Sequence, residues 1–558
     1  MKDPALHPPS PLGYTRAGLV GPATVLDAPS IPGLVPEQTA SAMSDWLHRH
    51  GVLMAGPVIA LPAASGLSAD VARFAAVIGP GHEAVLEAAW HAVNPHSPTG
   101  RLETAIALAQ ASRAPNYAAR EILMRAAAKG VPVVPVHDGV WSLGEGSRQR
   151  WVNATLFAHT RWLGARLARD KHAASRWLAR AGLPVAPQAT LSSIEQVHQF
   201  ISIHGFPVVL KPRAFEGGYG VHADLRDMDE VYGALRALER LKTALIIEKH
   251  VPGRDFRITV AGGRVISILE RQPAGVTGDG QRTISELVDV TNADPRRSGS
   301  PTSTLAPITL DAESERLMRH AGVTAGTVLE AGRWLRLKAA GNVKQGGIPV
   351  RYDGVMHEDN LDLALRASRI CDVDPSGVDL LLPDPARSWL QGGAAICEVN
   401  AQPSVGPAAG DVAWQCLMGS AVESDGLITK AAFALGAGTQ ATLAAWRCEL
   451  ERLGAIVGWN DGAVVYVGDR CIGRAVDRAS AAAQILRDPT VDAALFDVQG
   501  EDFAEGLPFT ALDALVSPAP PPVAGSGLHA ITRRIAGDPE ALLGHLLDRY
   551  RDRRGGVI

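Results

Sequence analysis

The chain has 558 residues, of which 46% are hydrophobic and 20% charged, the make-up of a globular protein and not of a disordered or fibrous one. With 54 Lys and Arg against 58 Asp and Glu there is no basic surplus, which argues against a nucleic acid or a polybasic membrane contact as partner. A chain this long exceeds a single core, and about three or four domains are expected.

Cys371, Cys397, Cys416, Cys448 and Cys471 are scattered without a C-x-x-C pair. Such spacing suits reduced thiols of the cytoplasm better than a disulfide scaffold or a zinc site. Pro4, Pro8, Pro9 and Pro11 precede no apolar core, so no signal peptide is expected. The run Val52–Leu61 is interrupted by Pro57 and is too short to cross a bilayer. The expected location is therefore cytoplasmic, with no membrane partner.

In chain order, residues 1–36 are rich in Pro and Gly and read as an irregular arm. Ala40–His50, Arg101–Ala111 and Ala118–Lys129 have helical spacing, and Val58–Leu61 and Val131–Val136 read as strands. Asp170–Ala181 is an amphipathic helix stopped by Gly182 and Pro184. Phe206–Lys211 and Ala244–Val251 are strands, and Arg257–Val260 and Val265–Glu270 flank an Ala-Gly-Gly-Arg hairpin turn. His357–Cys371 is helical, and two apolar strands follow it. Beyond Gly419, Glu423–Leu453 is Ala-rich and reads as helix, Gly462–Gly473 as short strands, and Ala479–Leu486 as helix. Asp492–Val498 reads as a strand, Pro518–Gly525 as a linker, and Leu528–Arg554 as helix. No repeat of fixed period is present.

The chemistry concentrates between Asp170 and Asn400. Asp379, Glu398 and Asn400 stand at the ends of two apolar strands. Two carboxylates and an amide oxygen suit a hard cation such as Mg²⁺, whose remaining positions go to water and phosphates. Lys171 opens a helix and Lys211 ends a strand, each beside a turn, where both can serve as point charges for phosphate oxygens. The loop A-F-E-G-G-Y-G, with Glu216, Gly217, Gly218 and Gly220, has the glycines that let backbone N–H groups approach a triphosphate. It matches neither G-x-G-x-x-G nor G-x-x-x-x-G-K-[ST], which disfavours Rossmann and P-loop readings. In I-I-E-K-H-V-P-G-R-D-F-R, Glu248 and Lys249 lie on a strand that can meet an adenine edge. Asp255 can reach ribose hydroxyls, and Arg257 adds a planar cation for a phosphate or carboxylate.

This order of parts resembles the ATP-grasp superfamily. D-K-x-x-x-x-x-x-L-x-x-A-G-L-P-V, E-K-x-V-P-G-R-D-F-R, R-Q-P-A-x-V-x-G-D-G, N-A-D-P-R-R, N-V-K-Q-G-G and E-V-N-A-Q-P are similar to the cyanophycin synthetases. So is V-W-x-L-G-E-G-S-R-Q-R-W at Val140–Trp151. The resemblance implies that Lys171 and Lys211 contact ATP phosphates, that Glu248, Lys249 and Val251 line the adenine, and that Asp255 meets the ribose. It implies Mg²⁺ on Asp379, Glu398 and Asn400, Arg257 and Arg271 as the catalytic cations facing phosphate or acyl group, and substrate at Asn342, Lys344, Gly346 and Gly347. Two departures bear on substrate identity. Lys344 stands where the family usually has a small hydroxyl residue, and Glu216–Gly220 departs from a G-N-x-G-x-G type loop.

After Gly419 no P-loop motif occurs, yet Ala483–Val516 resembles part of the Mur-ligase-like domain of those enzymes. The expected class is an α/β and α+β multidomain protein. An N-terminal α/β domain (1–160), a candidate for substrate or polymer binding, precedes an ATP-grasp domain (161–420) and a reduced Mur-ligase-like domain without a P-loop (421–558). This arrangement looks like the second type of cyanophycin synthetase, with a single working ATP-grasp site. The expected activity is ATP-dependent amide formation through an acyl phosphate, joining β-aspartyl-arginine dipeptides or extending an Asp/Arg polymer, in a homodimer. A ligase of two free amino acids, and a non-catalytic nucleotide-binding scaffold, are the competing readings.

Overall fold

A computed structural model describes residues 5–7, 24–29, 34–49, 58–61, 71–76, 84–94, 117–137, 139–214, 219–298, 304–436, 439–499, 511–517, 532, 534–536 and 538–555. They form two compact units: one is 158–420, and the other combines 1–157 with 421–558.

The two larger sheets of the 158–420 unit are antiparallel. In the four-stranded sheet the order is His222–Leu225, Val208–Pro212, Leu245–Lys249, Gln188–Leu191. Helices Ile194–His204 and Met228–Glu239 pack on it through Val197, Phe200, Val231 and Leu238, against Val208, Leu210 and Ile247. The five-stranded sheet runs Ile348–Arg351, Arg264–Gln272, Arg254–Ala261, Ser376–Leu382, Ala395–Asn400. Its strands alternate in facing around Arg257 and Asp379. Phe256, Ile258, Val378 and Leu380 are buried with Leu178 of Lys171–Arg180 and Leu363 of Glu358–Cys371. The intervening residues Asp255, Arg257 and Asp379 therefore belong to the opposite face.

A third, smaller core lies between residues 274 and 337, to which sequence patterning assigns no element. Strands Gly275–Thr277 and Trp334–Arg336 pair, and helices Ile284–Asn292 and Ala312–His320 close over Ile284, Leu287, Met318 and Leu337. A capping box between Thr283 and Glu286 starts the first of these helices.

In the other unit, strands Ala5–His7, Thr24–Pro29, Val71–Ala76 and Ile59–Leu61 form an antiparallel sheet. Helices Pro36–Arg49 and Ala84–Val93 share its core of Leu26, Met43, Leu47, Phe74 and Trp90. The arm expected at 1–36 thus contains two strands. Pro and Gly content reads as loop, but Thr24–Pro29 pairs residue for residue with Val71–Ala76, a partner that local composition does not reveal.

The C-terminal part is a seven-stranded sheet whose centre is parallel: Val457–Asp461, Ala493–Asp497, Thr429–Phe433, Ala514–Val516, Ile535–Ala536. The helix expected over Glu423–Leu453 is a strand, Thr429–Phe433, followed by a helix, Thr439–Arg452. Every residue of that strand is buried, and a strand buried on both faces loses the alternation that would distinguish it from a helix. The helix expected from Leu528 begins at Pro539. The helix expected at Arg101–Ala111 and the linker at Pro518–Gly525 lie outside the described residues. The chain is a mixed α/β and α+β multidomain protein. Among the described residues no helix is long and apolar enough to cross a membrane.

Candidate active site

Strand register builds the site. On the sheet face away from the helices, Arg257 is opposite Asp379, and Asp379 is opposite Glu398, so charge alternates across three neighbouring strands. Arg257 binds the Asp379 carboxylate through Nε and through Nη2, the latter 3.0 Å from Oδ2. Arg271 reaches the same Oδ2 from the next strand, its Nη1 at 2.9 Å, and donates Nη2 to Asp255 Oδ1 at 2.7 Å. Asp379 is 1% exposed, a depth at which a lone carboxylate would be strongly unfavourable; the two guanidiniums offset its burial. Burial pushes the Asp379 carboxyl up, against the pull of Arg257 and Arg271. For Arg271 burial works against the charge, yet Asp379 and Asp255 hold its pKa above the ordinary value.

Glu398 extends the row. Lys171 Nζ lies 3.6 Å from its Oε2, and Asn400 Nδ2 donates to its Oε1 at 3.1 Å. Burial alone would raise the Glu398 carboxyl, but Lys171, Arg257 and Arg271 bring it down to about 2. Lys171 is placed by its helix, which Asp170 caps by accepting the Ala173 N–H at 3.1 Å, while Arg213 Nε holds Asp170 at 2.9 Å. Sequence reading passed over Arg213.

On the four-stranded sheet Glu248 faces Val209, two residues before Lys211 on the paired strand, and the Lys211 Nζ to Glu248 Oε2 distance is 2.5 Å. Burial opposes the Lys211 charge, and Glu248 overturns that and keeps the ammonium pKa raised. Lys249 turns its Nζ to the carbonyls of Phe206, at 2.7 Å, and Gly205, at 3.3 Å. Val251 is half-buried. Glu216, Gly217 and Gly218 lie outside the described residues, and Gly220 has a left-handed φ of +72°.

The segment expected to bind substrate follows Gly341, which packs on Arg271. A Cβ at Gly341 would sit 2.0 Å from the Arg271 carbonyl oxygen, so only glycine permits this approach. Asn342 then caps a short turn by accepting the Lys344 N–H at 2.8 Å, and Gly346 ends it at a φ of +90°. The Cβ of a residue at Gly347 would meet the Gln272 carbonyl at 2.9 Å, and the Lys344 side chain is exposed.

Cys397 also joins the site. Asp379 pairs with Glu398 but Leu380 pairs with Ile396, which makes Cys397 the extra residue of a β-bulge. Burial pushes its thiol well up, with Asp255 and Glu248 adding to the effect. No sequence pattern marks a bulge here.

Among the described residues no three His, Cys, Asp or Glu side chains are arranged as a metal cluster. The donor set considered for a cation is accordingly two carboxylates and one carboxamide. Its oxygen chemistry fits Mg²⁺, and Glu398 is held ionised as a ligand requires.

No protein-family model matches the chain. It is 31% identical over 400 residues to a cyanophycin synthetase of Trichormus variabilis, covering 70% of this chain and 44% of that protein. It is 28% identical over 258 residues to a glutathione biosynthesis bifunctional protein of Mannheimia succiniciproducens, covering 45% of this chain and 34% of the other. A crystal structure of a bifunctional glutathione synthetase from Pasteurella multocida aligns with a TM-score of 0.39 and 21% identity over 55% of this chain and 44% of that one, too partial to carry argument. The chain spans less than half the length of the curated relatives it matches. Over seven-tenths of its length, it is a homologue of the cyanophycin synthetases.

Proposed function

We propose that the chain is an ATP-grasp carboxylate–amine ligase that joins β-aspartyl-arginine dipeptides or extends an Asp/Arg polymer. The observation that carries this is the ordered row of Lys171, Glu398, Asp379, Arg257 and Arg271, with Lys211 and Glu248 on the second sheet. Such a site offers cations for a triphosphate and oxygens for a hard cation within one stretch of sheet. Mg²⁺, held by Asp379, Glu398 and Asn400, would supply charge neutralisation for the phosphates. Lys171 and Lys211 bind phosphate oxygens, Glu248, Lys249 and Val251 line the adenine, and Asp255 meets the ribose. Arg257 and Arg271 orient the acid whose oxygen accepts the γ-phosphoryl group. An amine then displaces phosphate from the acyl phosphate, leaving an amide. Asn342, Lys344, Gly346 and Gly347, which follow the Gly341 that packs on Arg271, receive the substrate.

The rest of this reading is a three-domain organisation (1–160, 161–420 and 421–558), a homodimer and a cytoplasmic location. The C-terminal domain would be Mur-ligase-like and, without a P-loop, would not carry out a second ATP reaction. Incubation with ATP, Mg²⁺ and β-aspartyl-arginine tests the activity: phosphate release with growth of a peptide product is expected. Release only with free amino acids would keep the ligase and replace the substrate. ATP binding without phosphate release from any acid and amine pair would overturn the enzyme reading.

A further inference from the structure

Beside the ATP-facing sheet lies a second cluster of buried charge that the proposed chemistry does not use. Arg316 donates Nη1 to the Asp224 carbonyl at 2.6 Å and Nη2 to the Ala223 carbonyl at 2.7 Å, with Glu230 3.5 Å away. His320 Nε2 lies 2.5 Å from Glu230 Oε1. Asp224 is held by Arg226 through two hydrogen bonds. Lys338 pairs with Asp311 and lies 3.9 Å from Glu313.

Arg336 differs from these cations. Among the described residues its side chain makes one hydrogen bond, from Nε to the Lys338 carbonyl at 2.9 Å, and has no ion-pair partner. Burial disfavours its charge, and Asp224, Glu313 and Asp255 act on it only from beyond contact distance. Arg336 is half-buried, and its guanidinium fork is shaped for two oxygens of one carboxylate or phosphate.

Its position explains what those donors await. Arg336 sits opposite Gly275 in a two-stranded ladder, and the next two residues, Leu337 and Lys338, both donate their N–H to the Ala274 carbonyl. Ala274 lies three residues beyond Arg271, just past the end of its strand, and Gly341, five beyond Arg336, presses on the Arg271 carbonyl. The fork thus sits within the field of Asp224 on one sheet and of Asp255 on the other.

We infer that Arg336 grips an oxyanion of a ligand bound in this active site, either a substrate carboxylate or a phosphate oxygen of the nucleotide. This rests on the ligase reading above for the identity of the ligands, but its test reads binding and not turnover. The full-length protein and its R336Q and R336K variants are titrated calorimetrically with Mg·ATP, and with β-aspartyl-arginine in the presence of a non-hydrolysable ATP analogue. R336Q should weaken one of the two ligands by about tenfold or more, with R336K recovering part of the loss, because a point charge replaces a fork. Weakened ATP identifies the phosphate, and weakened dipeptide the carboxylate. Unchanged affinity for both overturns the inference, even if thermal stability falls, since loss of the bond to Lys338 would then be all that Arg336 provides. A wild type that binds neither ligand overturns it as well. One that binds ATP but releases no phosphate with any acid and amine refutes the ligase reading, while the ATP titration still decides the role of Arg336.

Discussion

In the unit of 1–157 and 421–558, Lys430 and Glu145 are 1% and 3% exposed and form an ion pair, while in the 158–420 unit Asp379 is 1% exposed between Arg257 and Arg271. Depth and charge are alike, but the attachments differ. Glu145 Oε1 also accepts the Ile428 N–H at 3.2 Å, and Asp513 Oδ2 accepts the Lys430 N–H at 3.0 Å. Arg553 joins Asp513 at 2.6 Å and donates to the Ile428 carbonyl at 2.9 Å. These side chains brace the backbone at the entry to the central strand. Gly146 lets the 144–148 loop in, since a Cβ there would lie 2.4 Å from the Val491 carbonyl. By contrast, the side-chain bonds of Arg257, Arg271, Asp379 and Glu398 go to other side chains. A network of that kind can rearrange around a ligand without disturbing a strand. Of these two clusters, the one around Lys430 is tied to the backbone and the one around Asp379 is not.

The comparison is broken most directly at Lys430. Lys430→Met strands Glu145 in the core and should cost about 3–5 kcal/mol of unfolding free energy by denaturant titration, because an uncompensated buried charge remains. ATP affinity should not change. Replacing both partners, Glu145→Leu with Lys430→Met, should restore most of the loss. If the single variant is as stable as wild type, the brace reading fails.

Asp379→Asn comes next. It keeps the size of the side chain and removes the charge between two guanidiniums, so phosphate release should fall by about 10²–10³-fold, the scale of losing one preorganised electrostatic group. The far-UV circular dichroism should match wild type. An unfolded variant would put Asp379 among the braces and erase the distinction between the units.

Much of the candidate site was legible because its apolar strands carry charged residues. Glu398 with Asn400, and Lys211, fall in the last three residues of their strands as expected, but Asp379 is in the middle of Ser376–Leu382 and not at its end, because Leu380–Leu382 continue the ladder beside Arg254–Phe256. What stayed hidden depends on partners distant in sequence. Glu145 lies in the V-W-S-L-G-E-G-S-R motif, but its counterion Lys430 is 285 positions away, within an alanine-rich run that reads as helix. Cys397 enters the site only through a bulge, and a one-residue slip in register leaves no trace in composition. Arg336 is visible as a residue in R-W-L-R-L-K, but that it has no ion-pair partner among the described residues appears only when its neighbours are in place.

The smallest expected effect is a pH dependence that separates the braces from the rest. Burial tends to raise the Asp513 carboxyl, but Arg553, Lys430 and the Lys430 N–H outweigh it and hold its pKa below the ordinary 3.8. The unfolded chain then binds the proton more readily than the folded one, so stability must fall as the medium becomes more acid. The contribution is complete above the ordinary value and disappears as pH drops through the lower, folded one. Asp513→Asn removes this titration, and the acid limb of a stability–pH curve for the variant should be shallower than that of wild type. Since Asp513 binds both a backbone N–H and two cations, the variant should also be less stable at neutral pH, with the gap narrowing toward acid. A gap that stays constant with pH would mean that the carboxylate charge does nothing for the fold, and that packing alone holds the central strand in place.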